Sequence, residues 1–343
     1  MNNIKILTTT ILVTLLIMTA SYAQDDPVPC SNQQLTDTLL TVPTWLLRPE
    51  INVNGDRITW THNGDLTGDN PSNLWGVFLW DSVTGINQIT HATSTIGGVQ
   101  SYIDGSGSRI FFEGAQDLVA GSNPDGNVEE FLWDEALGFL QVTDTTTSLL
   151  CGKSISADGN RLFFGMSGED ILGMNPDLNL ELFMYDVPTA TMTQITSTAD
   201  TGVCEASPNH NGTEIMFSTK DIIDGLPNPE ANSEIYRWVE GEGFSASTNA
   251  VSGDCLSVKI SNNGQRATIS SKTDLVPGSN NSLETEIFLW DSKEGITQLT
   301  HSAPGAEAYP FSHDISGNGQ RVAFAHTGDL TGRNPDHNSE TFL

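Results

Sequence analysis

Oxygen-bearing side chains recur at one spacing along the chain, and their chemistry is the first thing to explain. Asn123, Asp125, Asn127 and Glu129 stand at i, i+2, i+4 and i+6, as do Asn175, Asp177, Asn179 and Glu181, and again Asn334, Asp336, Asn338 and Glu340. Carboxylate and amide oxygens at alternate positions suit a hard cation such as Ca²⁺, which takes about six to eight oxygen ligands. These twelve residues are the candidate metal ligands, with Ca²⁺ as the candidate ion and no other cofactor required. The spacing lacks the fixed glycine and ~12-residue frame of an EF-hand. Asn and Asp also close Asx-turns onto their own backbone, which explains the same recurrence without a metal. Two copies break the set, with Leu74 and Gly76 in the first and Ser282 and Glu284 in the fifth.

A second acid, Asp65, Asp117, Asp170, Asp221, Asp274 or Asp329, precedes Leu or Ile in every copy. Catalysis asks for one distinctive acid or base, so six equivalents are expected to clamp loops. His62 matches His326, and His91 matches His301, as repeat ancestry requires. Cys151-Gly152-Lys153-Ser154 echoes the end of a phosphate loop, but Thr147 stands where that motif needs glycine. No HExxH, GxSxG or GxGxxG motif is present. No catalytic residue is assigned, which favours a binding protein over an enzyme.

Of the four cysteines, Cys151 and Cys204 each lie 13 residues before an equivalent aromatic, Phe164 or Phe217, and Cys255 lies 14 before Ile269. Matching places in neighbouring repeats make Cys151 and Cys204 the candidate disulfide. A three-thiolate metal site is the alternative.

All these residues belong to a unit that repeats six times. Trp60, Phe112, Phe164, Phe217, Ile269 and Phe324 follow one another at 52, 52, 53, 52 and 55 residues. Asn54-Gly55, Ser106-Gly107, Asp158-Gly159, Asn211-Gly212, Asn263-Gly264 and Asn318-Gly319 keep the same register. Such pairs predict two-residue hairpin turns between short apolar runs. Trp80, Trp133, Tyr185, Trp238 and Trp290 mark a third strand, and a fourth follows, as in Ile296 to Thr300. Four short antiparallel strands cannot bury both faces alone, so the units are expected to pack around an axis as an all-β, six-bladed propeller. The last unit stops inside its third strand, and Gln33-Gln34-Leu35-Thr36 matches Thr297-Gln298-Leu299-Thr300. The N-terminal segment is therefore expected to close the ring as the missing outer strand. An end inside a strand, with no polar tail, also leaves open a longer natural protein.

The units resemble the repeats of TolB-like, or WD-repeat-like, six-bladed propellers. The motifs are S-x-[DN]-G-x-R-[IVL]-x-F, as from Ser156 to Phe164, then [EI]-F-L-W-D and T-Q-[IL]-T, and they extend from Leu35 to Leu343. The resemblance implies the fold, and it spans scaffolds, lectin-like binders and enzymes alike. Family members include cell-envelope proteins that bind partners across the ring face.

Met1 to Ala23 reads as a cleavable secretory signal, with Lys5, an apolar run from Ile11 to Met18 and the small-residue site Ser21-Tyr22-Ala23. Residues 24–343 then form one propeller domain. With 14 Lys and Arg against 43 Asp and Glu, the net charge of −29 disfavours nucleic acid and anionic lipid. Nothing in the mature chain is long and apolar enough to span a membrane. The expected role is a secreted or periplasmic, non-enzymatic scaffold binding a protein or glycan partner on the long-loop face. The alternatives are a polysaccharide-acting lyase or hydrolase and a Ca²⁺-dependent adhesion module.

Overall fold

The repeating turn is where the chain first commits to its blades. In a computed structural model, described for residues 34–36, 46–91, 100–146, 149–200, 202–203, 205–280, 283–303 and 305–343, each Asn-Gly-type pair closes a β-turn. The N–H of Gly55, Gly107, Gly159, Gly212, Gly264 or Gly319 donates to the carbonyl three residues back. Only the glycine of each pair has positive φ, near +70 to +80°. The expected two-residue hairpins are thus four-residue turns that end on a left-handed glycine. The residue before the turn explains the difference. The side chains of Asn52, Asp104, Ser156, Asn209, Ser261 and Ser316 each accept the N–H five residues on, holding the wider loop.

Each turn joins the first two strands of a sheet whose strand order follows the sequence. Among the described residues five blades have four antiparallel strands and the sixth has three. Second strands continue two residues or more past the reference aromatic, as in Arg57–His62 and Arg161–Ser167. Fourth strands are short, as in Gly295–Gln298. Among the described residues no helix is long and apolar enough to cross a membrane.

The core lies between blades. Aromatics of second and third strands stack as Trp60–Phe78, Phe112–Phe131, Phe164–Phe183, Phe217–Tyr236 and Phe324–Phe342, with ring centroids 5.6 to 6.1 Å apart. One apolar cluster unites Phe163, Leu182 and Met184 of blade 3 with Ile215, Phe217 and Tyr236 of blade 4. Each fully buried Phe contributes about 2 kcal/mol, and a cluster that joins two blades, as this one does, requires the neighbouring blade. The first strands, Leu46–Ile51, Ser101–Ile103, Leu149–Ile155, Ala206–Pro208, Cys255–Ile260 and Ala308–Ile315, face a common cavity. Six blades thus surround one channel.

Residues 1–37 form a separate unit. The signal segment Met1 to Ala23, and Gln33 of the expected closing strand, lie outside the described residues; Gln34, Leu35 and Thr36 carry no strand.

Candidate functional site

The long loops position the predicted oxygen ligands, and they do so through hydrogen bonds that differ for each member of a set. The amides of Asn70, Asn123, Asn175, Asn228, Asn280 and Asn334 all donate to the carbonyl four residues on, at 2.7 to 3.0 Å. Asp125, Asp177 and Asp336 are exposed. Asn127 and Asn179 donate to the carbonyls of Thr145 and Thr198 in the connection that leaves the blade. Glu129 and Glu181 are buried, and their carboxylates accept from Thr143 and Thr145, and from Thr196 and Thr198. Glu234 and Glu286 repeat the clamp on Thr248 and Ala250, and on Thr300 and Ser302. In the last copy Glu340 is exposed and the Asn338 amide reaches Asp336 at 3.3 Å. In the first two sets, the members therefore engage different partners. Among the described residues no three His, Cys, Asp or Glu side chains group as metal ligands.

The recurrent Asp behaves as expected. Asp117 accepts the N–H groups of Gly121, Ser122 and Asn123, and Asp274 those of Gly278, Ser279 and Asn280. Those backbone donors, from Gly121 first for Asp117 and Asn280 first for Asp274, hold both carboxyls below the usual range.

His326 has Ser302 Oγ 2.8 Å from Nε2, a contact that invites a nucleophile–base assignment. Its Nδ1 accepts the Gly328 N–H at 2.7 Å, so the ring proton sits on Nε2 and points at the hydroxyl. A base needs a lone pair there. His62 repeats the arrangement by accepting from Gly64 at 2.6 Å. Both histidines are turn clamps, and burial lowers both pKa values.

Cys151 is disulfide-bonded, while its expected partner Cys204 lies outside the described residues. A cysteine so bonded offers no thiolate, and the alternative three-thiolate site falls with it. Cys255 is a free, buried thiol whose pKa burial pushes up to about 12.

The channel wall is where the blades stop resembling one another. At one level of the first strands stand Glu50, Tyr102, Ser154, Ser207, Lys259 and Asp314, one from each blade. Two cavities meet at this level. The larger, about 490 Å³, reaches the short turns through Val53, Gly105 and Asn262. The smaller, about 280 Å³, extends toward the long loops past Arg48, Glu205 and Phe311, and Glu50 and Lys259 line both. Lys259 Nζ lies 3.1 Å from Glu205. Burial raises Glu50 to about 7, with Lys259 and Arg48 opposing and Asp314 and Glu205 adding to the shift. Arg48 sits at φ 23° in a bulge of its strand, a left-handed conformation costing about 1–3 kcal/mol.

A further buried charge cluster was not anticipated. Lys153 is 5% exposed and bridges blades 3 and 2, with Nζ 2.6 Å from Glu113 and 3.4 Å from Glu130. Glu130 is fully buried and neither oxygen has a hydrogen-bond partner among the described residues. Burial raises its pKa to about 8. The signal was present in the sequence: Val77, Leu182, Ile235 and Ile287 occupy the position of Glu130 in other blades.

No known protein family matches the chain, and no curated protein sequence matches it. Solved structures do. TolB from Acinetobacter baumannii is similar over 84% of this chain at 14% identity and a TM-score of 0.49, and the chain spans 64% of that structure's length. A prolyl endopeptidase structure matches 89% of this chain and 40% of its own at 14% identity and a TM-score of 0.57. An oligogalacturonate lyase in complex with manganese matches 84% of this chain and 74% of its own at 13% identity and a TM-score of 0.53. At such identities the likeness is one of architecture: six sheets around one channel give the chain a six-bladed propeller fold.

Proposed function

We propose that this protein is an exported, non-enzymatic binding propeller that takes a protein or glycan segment at the long-loop mouth of its channel. The break in six-fold repetition at the channel wall carries this reading. The buried loop acids repeat because the blades need them, and Glu129, Glu181, Glu234 and Glu286 are committed to Thr hydroxyls and backbone N–H groups. Arg48, Glu50, Glu205, Lys259 and Asp314 serve no such repeated need. Phe311, 64% exposed beside Arg48 and Glu205, adds an apolar contact at the mouth. Export is supported by the composition of Met1 to Ala23 and by the disulfide at Cys151, which suits an oxidising compartment. Peptide and glycan arrays probed with wild type and with Ser207→Trp, which fills the channel, test the proposal. Ligands should be lost on the variant at unchanged melting temperature; ligands retained by a plugged channel would contradict it.

One observation favours a second reading, a polysaccharide-acting lyase or hydrolase. Glu50, held near pH 7 beside Lys259 and Arg48, can exchange a proton at neutral pH while cations neutralise a nearby anion. An oligogalacturonate lyase shares the fold. Incubation with uronate polymers, followed by absorbance of unsaturated ends and by reducing ends, distinguishes the two. Turnover abolished by Glu50→Gln supports the enzyme, and no turnover supports the binder.

A further inference from the structure

We infer that the long loop of blade 3 docks a second protein, one whose contact face has an apolar centre ringed by Lys and Arg. This surface goes beyond the channel role proposed above and does not depend on it. Three loops of equal length, residues 65–73, 170–178 and 329–337, share the pattern D-[LI]-x-G-x-N-P-x-x. The same bonds hold each of them. Asp65, Asp170 and Asp329 accept the N–H of Asn70, Asn175 and Asn334 at 2.7 to 2.9 Å. The amide of each asparagine then reaches the carbonyl four residues on. What differs is the residue at three positions. Blade 1 carries Thr67, Asp69 and Asn73, and blade 6 carries Thr331, Arg333 and His337. Blade 3 carries Leu172, Met174 and Leu178, which are 38%, 59% and 45% exposed.

Polar residues serve this turn in two other blades, so the loop does not need the three apolar side chains, and each leaves apolar area in water. Leu178 carries a second cost. Its φ is 57°, a conformation that the equivalent Asn73 and Gly126 adopt more readily, at 51° and 67°. Among the described residues, the loops between second and third strands of the other blades expose at most one large apolar side chain each, Ile222 in blade 4 and Leu283 in blade 5. In blade 3 a fourth joins the set. Leu149, 75% exposed, pairs with Ser167 beside Gly168, whose N–H closes the loop on the Leu178 carbonyl at 3.0 Å.

Charge selects the partner. No Lys or Arg stands between Arg161 and Lys220, a stretch with eight Asp and Glu. Asp144, Asp177 and Asp200, on the loop and on the connections that enter and leave the blade, are exposed. An apolar centre with an acidic border fits a protein face with a basic one. A second copy meeting this loop about a two-fold axis would set the same acids against each other. An anionic lipid surface would be repelled in the same way. Leucine and methionine offer no flat ring for a sugar face and adapt well to protein side chains.

The test uses a labelled amphipathic helical peptide of Leu and Lys, apolar along one face and basic on its flanks. Its controls are the same residues scrambled and the same helix with Glu for Lys. Fluorescence anisotropy with the full chain should show the first peptide binding at least about tenfold tighter than either control. Leu172→Thr and Leu178→Asn, which install the blade 1 residues, combined with Met174→Gln should weaken it at least about tenfold. The melting temperature of this triple variant should be no lower than that of wild type. Val83→Thr with Leu137→Thr, which removes exposed apolar side chains from hairpin turns of blades 1 and 2, should change binding by less than about twofold. No binding of the amphipathic peptide, equal binding of the scrambled one, affinity retained by the triple variant, or early melting of that variant would overturn the inference. So would sedimentation showing a wild-type dimer that the triple variant abolishes, since the occupant would then be a second copy.

Discussion

The loops around the rim and the wall of the channel are built from the same repeat under opposite demands. One set of bonds recurs blade after blade: Asn to the carbonyl four residues on, Glu to a Thr hydroxyl and the N–H two residues beyond it, Arg to Asp. Arg57, Arg109 and Arg266 hold Asp81, Asp134 and Asp291 at 2.8 Å, and each reaches across to a glycine carbonyl of the next blade's turn. Even the exception keeps the rule. In blade 4 Glu214 replaces the arginine, and Arg237 supplies the charge from the third strand. Inside the channel the six equivalent positions hold two acids, a lysine, a tyrosine and two serines. Symmetry marks what the fold needs, and its loss marks where something else acts.

That contrast can be broken by striking the rim. Glu181→Ala leaves the donors of Thr196 and Thr198 buried without an acceptor. It should cost about 3 kcal/mol or more, read by urea unfolding, with no selective effect on channel ligands. A loss under ~1 kcal/mol would show that the clamps are incidental.

The next largest effect separates structural asymmetry from functional asymmetry. Glu130 faces Lys153, Glu113 and Glu129, and its pKa stands near 8 in the folded chain against an ordinary 4.5. The folded state therefore holds this proton more tightly than the unfolded one. The stability so contributed is fully present below pH ~4.5 and is lost as pH rises to about 8, a difference on the order of a few kcal/mol. Glu130→Gln should flatten the fall in melting temperature between pH 5 and 8 and leave ligand binding alone. An unchanged pH profile would show that Lys153 already stabilises the ionised form.

The smallest effect concerns Ca²⁺. If the long loops hold the ion, calorimetry should show a preference for Ca²⁺ over Mg²⁺ that weakens in Asp177→Ala, at ~10⁻⁴–10⁻³ M. Asp177 is exposed and Glu181 is already engaged, so the expected heat is small. Equal heats for both ions, unaffected by the substitution, would reduce these loops to hairpin connections.

Much of the fold was legible because it repeats. Asn54-Gly55 and its five equivalents announced the turns, and the third-strand aromatics announced the blades, since six copies amplify a weak local signal. The turn type was misjudged because the cap of Asn52 on Arg57 is a side-chain bond outside the pair itself. The channel was not legible for the converse reason. Glu50, Lys259 and Asp314 share no register-wide residue type, and they meet only when the ring brings distant strands together. Lys153 and Glu130 stand 23 residues apart on adjacent blades, and only the misfit of Glu130 in an apolar position hinted at their pairing.

The central claim is that the wall departs from repetition for a ligand rather than for the fold. Its most direct test replaces Glu50 and Lys259 together with Ser, the residue that blades 3 and 4 carry at this level, and measures melting temperature and ligand affinity on the same sample. Burial already opposes ionisation of Glu50, so at pH 8 the double variant should melt no lower than wild type. Its affinity for a channel ligand should fall about tenfold or more. A large drop in melting temperature with affinity preserved would assign the charged waist to the fold and contradict the account.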